Sequence, residues 1–405
     1  MRDNYSTDGK VSRRQAIGWL LSLGALSIGT SIQAPIRLLL NETQERTTRS
    51  VPSRFQRTPS PGEIQTTQTA NTCVTNDASK IIADALADGE TKIYLPAGNY
   101  SVSNSIKVSQ SNVEIYGDGP STILRLNDNV LRDMLLFVSA NNFHVHDLQL
   151  DGNRLNQPFT PPTTRYGGAV NISGIDAWNC SDGLIENCFI HDCRTFGVLY
   201  SQCTSCSIQD NHMQNCDANG VTIDNSTGGS GCVVRRNFVD GASDVGITGS
   251  DAVNYLVEKN TIKNVTMNTS PFEQNTNIGV ACEGNSAGCI NCSYVENTIE
   301  NTLVGAYIGF VNGLNFKKNI INGIVATGNG FPGIPFAVNV DTKTTGVVVE
   351  NNLVEGLPSV MQSPIVQLLS PTGGIFKNNM IFTNGGKLAI WSPSGTWQIF
   401  DNKLT

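Results

Sequence analysis

Four short segments of similar wording carry most of the side chains that could do chemistry: RTFGVLYS (194–201), DANGVTID (217–224), SDVGITGS (243–250) and NIGVACE (277–283). They supply Arg194, Asp217, Asp224, Asp244 and Glu283, with His191 just ahead of the first. Recurring carboxylates can divide into a general acid and a general base when one is held protonated and another ionised. Asp217, Asp224 and Asp244 could instead offer oxygen ligands to Ca2+. A plainer use of the same residues is as solvated charges on one face of a repeat. Which holds depends on the elements that position them.

Those elements repeat. The phrase apolar-x-x-Asn-x-apolar returns as IQDNHM (208–213), VRRNFV (234–239), VEKNTI (257–262), YVENTI (294–299), FKKNII (316–321), VENNLV (349–354), FKNNMI (376–381) and IFDNKL (399–404). A ninth copy, IENCFI (185–190), has Cys188 in the Asn slot. The commonest interval between starts is 23 residues, the period of a solenoid. Alternation within each phrase reads as a strand. A second short strand precedes most copies, as in GVLYS (197–201), GVTID (220–224), GITGS (246–250), GVACE (279–283), GAYIG (305–309) and FAVNV (336–340). No crossover helix separates them. Short strands at this period wind into a parallel β-helix, in which each coil buries its apolar positions only against its neighbours. Equivalent residues then stack at about 4.8 Å. Asn211, Asn237, Asn260, Asn297, Asn319, Asn352, Asn379 and Asn402 are expected to form a structural ladder, since Asn tolerates a left-handed turn and bonds along a stack of amides.

Three intervals are long. Their extra residues fall at about 154–168, 266–277 and 325–335, all in the turn after the Asn phrase and before the G-V strand. Stacked insertions on one turn build a wall, and long loops on a rigid scaffold commonly carry function. On the strands beside that wall, Val198, Val221, Ile247 and Val280 should point inward, and so should Tyr200. Leu199, Thr222, Thr248, Ala281 and Tyr307 then point outward, with Ser201, Asp224, Ser250 and Glu283 beside them. The turn is expected to add Arg194, Asp217 and Asp244 in one column, with Asn219 and His191 nearby. Arg165 and Tyr166 come from the first inserted loop. Carboxylates, hydroxyls, an aromatic and an Arg make a surface suited to carbohydrate. Inverting hydrolysis would need two carboxyls about 6.5–9.5 Å apart. Elimination from a uronate would need a base with Arg194 or Ca2+ against the sugar carboxylate, and epimerisation would use similar parts. His144, His146 and His212 read as wall or packing residues.

The segment NDASKIIADALADGETKIYLPAGNYSVSNSIKVSQSNVEIYGDGPSTIL (76–124), with the LDGN of 150–153, resembles the opening of the pectate-lyase superfamily, in its rhamnogalacturonase/epimerase-like branch. The resemblance implies a right-handed single-stranded parallel β-helix whose first coil is capped by an amphipathic helix carrying Ile81, Ile82, Ala85 and Leu86. It is specific for fold and silent on chemistry, because that superfamily holds lyases, hydrolases, epimerases and non-catalytic proteins. DANGVTIDNS (217–226) resembles the N-x-D-G-I-D-I strand of polygalacturonase-type hydrolases, but Asn219 stands in the slot of that family's acid. That catalytic set therefore does not transfer.

The N-terminus reads differently. Ser12-Arg13-Arg14 precedes a short apolar stretch, a twin-arginine type of export signal over residues 1–34. Residues 35–72 are rich in Thr, Ser, Pro, Arg and Gln and read as a disordered linker. The β-helix domain is expected over 73–405, with no transmembrane domain after processing. That region holds 29 acidic against 18 basic residues, which argues against a nucleic-acid partner. Eleven cysteines fit an exported protein. Cys180/Cys203, Cys193/Cys216 and Cys206/Cys232 share slots in consecutive coils, within reach of disulfides or stacked as buried thiols. The expectation is an exported, periplasmic or extracellular protein that processes an acidic, uronate-containing polysaccharide by lyase or glycoside hydrolase chemistry, with Ca2+ as a candidate cofactor. The alternative is a non-catalytic glycan-binding or cell-envelope solenoid.

Overall fold

The computed structural model describes residues 76–157, 172–226, 228–269, 276–284, 288–325, 335–358, 364–383, 390–393 and 395–405. The signal and linker expected over 1–72, Cys73, Arg165 and Tyr166 lie outside the described residues.

Three parallel sheets wind through the unit Thr75–Thr405 as a right-handed β-helix. The first sheet has twelve strands, from Lys92–Leu95 to Gln398–Phe400. The second has twelve, from Gly98–Val102 to Lys403–Leu404, and the third eleven, from Ile106–Val108 to Ile390–Trp391. Every named pairing within them is parallel and joins one coil to the next, as Ile185↔Ile208 and Ile208↔Val234 do in the first sheet. Val145, Ile185, Ile208, Val234 and Val257 form one inward column, all fully buried. Each such side chain stabilises by about 1.5–3 kcal/mol relative to exposure. That gain needs a neighbour above and below, which is why the coils stand or fall together.

The helix Ala78–Ala87 begins at Asp77, whose carboxylate accepts from the Ser79 amide at 2.9 Å. Ala78, Ile82 and Leu86 are buried, with Ile81 and Ala85 packed against the same core. This apolar face lies against the first strands of the second and third sheets, where an uncovered coil would expose core.

The Asn ladder runs unbroken through eight coils. The Nδ2 of Asn211 donates to Asn237 Oδ1 at 3.1 Å and to Ile185 O at 3.0 Å. Asn237, Asn260, Asn297, Asn319, Asn352 and Asn379 repeat both bonds, and each Oδ1 also accepts the backbone amide of the coil before. One detail differs from expectation. The left-handed residue of each turn is the one before the Asn: Asp210, Arg236, Lys259, Glu296, Lys318, Asn351, Asn378 and Asp401 all have φ between 54° and 58°. The turn thus separates two tasks. An exposed or half-buried residue takes the strained backbone, and the Asn keeps its amide for the stack.

The ten described cysteines are free and buried. Their thiols donate weakly to carbonyls, as Cys232 does to Cys203 O at 3.4 Å, so they pack as small apolar residues in the coils. The three insertions occupy one kind of turn, from the second sheet to the third: they follow Gln149–Asp151, Thr261–Val265 and Ile320–Asn322, and precede Ile175–Trp178, Ile278–Glu283 and Phe336–Val340.

Candidate functional site on the third sheet

The third sheet differs from the other two in its outer face. Outward residues of the first sheet, such as Ser207 and Gln209, are half-buried. On the third, outward Thr222, Asp224, Thr248, Ser250, Glu283, Asn339 and Gln367 are at most 6% exposed. The expected alternation holds. Val198, Val221, Ile247 and Val280 stack inward. Asp176, Leu199, Thr222, Thr248, Ala281, Tyr307, Asn339 and Gln367 make one outward column. Trp178, Ser201, Asp224, Ser250 and Glu283 make the next. Tyr200 points inward and donates to Ser207 O at 3.2 Å.

Several polar groups on this face have no partner. Thr248 Oγ1, Ser250 Oγ, Asn339 Oδ1 and Gln367 Oε1 are buried without a hydrogen bond. A buried polar group left so costs about 1–3 kcal/mol, so four on one face need a reason. Others are committed. Asn219, in the slot of the hydrolase acid, donates through Nδ2 to Thr222 Oγ1 at 2.9 Å and accepts the Val245 amide at 3.0 Å. It is a strut between coils. Tyr307 OH donates to Asp341 at 3.0 Å, and Asp224 accepts the Ser226 amide at 3.1 Å.

The turn column departs from expectation. Arg194 and Asp217 stack and form an ion pair. Asp217 is also bound by Arg154 Nη1 at 2.9 Å and by Thr269 Oγ1, from the second insertion, at 2.5 Å. Two guanidiniums and a hydroxyl close around a carboxylate that is 1% exposed. Such a group ties the turn together and is closed off from solvent. Asp244 is not above it. The Asp244 amide donates to Ala218 O, because this coil is 26 residues long and sets Ser243 over Asp217. The Asp244 carboxylate is held by the Thr276 hydroxyl and amide. Asp217, Asp224 and Asp244, candidate oxygen ligands for Ca2+, are not among the groups of described residues whose ligand atoms gather within 4.8 Å of one another.

His191, at the end of a second-sheet strand, accepts from Gln149 Nε2 at 2.9 Å through its own Nε2. Its Nδ1 donates to Asp192 at 2.8 Å, and Arg154 Nε holds the other Asp192 oxygen at 3.0 Å. Burial raises the Asp192 pKa, but the bonds from His191 and Arg154 outweigh it and hold the group below the usual range. Both ring nitrogens of His191 are thus engaged, one by Gln149 and one by Asp192. Asp151, His191 and Asp192 do bring ligand atoms within 4.8 Å of one another, a set able to take a metal ion.

A different carboxyl group, Asp133, has the electrostatics of an acid, with Asp176 as its charged neighbour. Asp133 precedes the third-sheet strand Leu135–Val138, and Asp176 stands outward on the next coil's strand. Asp133 is half-buried as a residue, but its carboxyl is desolvated. That desolvation, with the neighbouring Asp176 charge, pushes its pKa up to about 8 despite a bond from the Ser173 amide at 2.9 Å. Trp178, two residues beyond Asp176, is 49% exposed on the same face. The sequence held a signal for Asp176 and Trp178: GIDAW (174–178) is a further copy of the G-V strand. Asp133 and Arg154 had none, since neither sits in a repeated phrase.

The family model described as the right handed beta helix region matches residues 100–264 and 173–354. No curated protein matches the chain by sequence. Among solved structures, the A-module of the mannuronan C-5 epimerase AlgE4 from Azotobacter vinelandii is 16% identical, with 80% of this chain and 90% of that one covered and a TM-score of 0.59. The N-terminal fragment of gene product 12 of bacteriophage Phi29 is 14% identical, with coverage of 81% and 63% and a TM-score of 0.66. The catalytic domain of a GH87 alpha-1,3-glucanase, in complex with tetrasaccharides, is 16% identical, with coverage of 85% and 71% and a TM-score of 0.51. At these identities the likeness is one of fold.

Proposed function

This chain belongs to the right-handed β-helix family, and on that premise we propose that the outer face of its third sheet binds a polysaccharide and cleaves it hydrolytically. The observation that carries this reading is the carboxyl pair Asp133 and Asp176 on the sheet that, further along the coils, carries a run of buried polar groups lacking partners. Near neutral pH Asp133 keeps its proton and can give it to the oxygen of a leaving sugar, while an ionised Asp176 activates water or stabilises the cationic centre. Thr248, Ser250, Asn339 and Gln367 would receive sugar hydroxyls along the strip, and the exposed Trp178 ring offers a platform for a pyranose face. Two of the structural neighbours are named for action on glycans, a mannuronan epimerase and an alpha-1,3-glucanase, which agrees with this reading.

Hydrolysis is favoured over elimination by the protonated carboxyl of Asp133. A lyase must neutralise a uronate carboxylate, and among the described residues Arg154 and Arg194 are both bound to Asp217. A uronate-containing polymer remains a substrate where its neutral groups face Asp224 and Glu283. Export through a twin-arginine signal belongs to the same reading and predicts that the Arg13→Lys/Arg14→Lys variant stays inside the cell. The test is a panel of neutral and uronate polysaccharides, followed by reducing ends and by the ultraviolet absorbance of an unsaturated product. Reducing ends without that absorbance, lost in Asp133→Asn, support hydrolysis. An unsaturated product, or full activity in Asp133→Asn, overturns it.

A further inference from the structure

We propose that Glu114, His144 and His146, on the outer face of the first sheet, form a zinc site, with Glu186 as a fourth donor. His144 and His146 are two residues apart on one strand, so alternation sets both rings on the same face while Val145 between them is buried in the core. The ring centroids are 4.1 Å apart. Register sets Glu114 one coil before His144, and Glu186 one coil after His146. Each carboxylate then reaches across the diagonal. Glu114 Oε1 lies 3.1 Å from His146 Nε2, and Glu186 Oε1 lies 3.0 Å from His144 Nε2. The ligand atoms of Glu114, His144 and His146 all fall within 4.8 Å of one another.

Three of the four donors are oriented by a bond at their other atom. Asp147 Oδ2 holds His146 Nδ1 at 2.8 Å, Lys92 Nζ holds Glu114 Oε2 at 2.8 Å, and Gln209 Nε2 donates to Glu186 Oε2 at 2.7 Å. Supports of this kind, above all a carboxylate behind an imidazole, are how metal ligands are aimed. His146 has a carboxylate against each nitrogen, Asp147 at Nδ1 and Glu114 at Nε2. A divalent cation between Nε2 and Glu114 would take both as ligands while Asp147 aims the ring from behind. Two imidazoles with one or two carboxylates suit Zn2+, whereas Ca2+ and Mg2+ prefer oxygen alone. The His144 and Glu186 side chains are 30% and 23% exposed, so an ion can enter from solvent. The site joins three successive coils of the first sheet, apart from the third-sheet face, and its role is to clamp the beginning of the solenoid.

The experiment is zinc titration of the tag-free chain by calorimetry after chelation, with thermal melts in Zn2+ and in chelator. One Zn2+ per chain and a melting temperature raised by about 3 °C at saturation are expected. The His144→Ala/His146→Ala variant should lose both, and Asp147→Asn should weaken binding about tenfold. Cys292→Ser and His191→Ala should each bind as the parent does, since Cys282, Cys289 and Cys292 and the set Asp151, His191 and Asp192 are the competing clusters among the described residues; binding lost in His191→Ala overturns the site. If the histidine variant does not fold, the Co2+ spectrum of the parent decides: visible bands without a thiolate charge-transfer band support the site, and a thiolate band overturns it. Absence of zinc binding, or binding lost with Cys292 and kept without the histidines, also overturns it.

Discussion

The turn between the first and second sheets and the turn between the second and third are built from the same coils and behave oppositely. In the first, an Asn recurs in eight coils, and its amide bonds along the stack without a break. In the second, lengths vary, three insertions enter, and the strand face beyond it holds buried hydroxyls and amides with no partner. A uniform, satisfied turn contributes stability. A variable turn beside unsatisfied groups has kept those groups at a cost of about 1–3 kcal/mol each, which a ligand can recover.

The comparison can be broken in four places. The largest effect is expected at the carboxyl pair: Asp133→Asn should lower glycan cleavage by about 10²–10⁴-fold in a variant that stays folded. The pH dependence has a definite sign. The Asp133 pKa is raised from 3.8 to about 8 in the folded chain, so the fold binds this proton more tightly than the unfolded chain does. Its contribution to stability is full below about pH 4 and fades as pH rises toward 8, and cleavage should fall above about pH 8. Urea melts from pH 4 to 9 should show that slope in the parent and not in Asp133→Asn.

Next in size is the ladder. Asn260→Leu removes the acceptor of Asn237 and the donor to Val234 O, both buried, and should cost about 4 kcal/mol in urea unfolding. A parent-like midpoint would show that the ladder contributes nothing. Asp217→Ala follows, at about 3 kcal/mol, because it removes the buried carboxylate that Arg154 and Arg194 share. That places Asp217 on the stable side of the comparison although it lies in the variable turn, and a loss of activity with an unchanged melt would contradict it. The smallest effect is the sharpest test. Thr248→Val keeps shape and removes an unpartnered hydroxyl, so stability should stay within about 1 kcal/mol or rise, while the Michaelis constant for the glycan should increase. A clear loss of stability would mean that the third-sheet face is as satisfied as the ladder.

The sequence by itself determined the period, and the period determined the coil, because alternation and stacking are local rules that repeat. The Asn slots, the inward valines of the G-V strands, the outward run from Thr222 to Tyr307 and the insertions on one turn were all legible in this way. The site was legible only as a face. Register to a single residue decided that Ser243, and not Asp244, sits over Asp217, since a coil of 26 residues need not carry its extra length where the eye puts it. Tertiary contacts decided that Asp217 is an ion-pair hub, through Arg154 from 63 residues earlier, and that the His191 ring is tied to Gln149. They also decided that Asp133 shares a field with Asp176 from the next coil. Charge, proton affinity and partner choice depend on what lies within a few ångströms, and in a solenoid those neighbours come from other coils, at separations no repeat spells out.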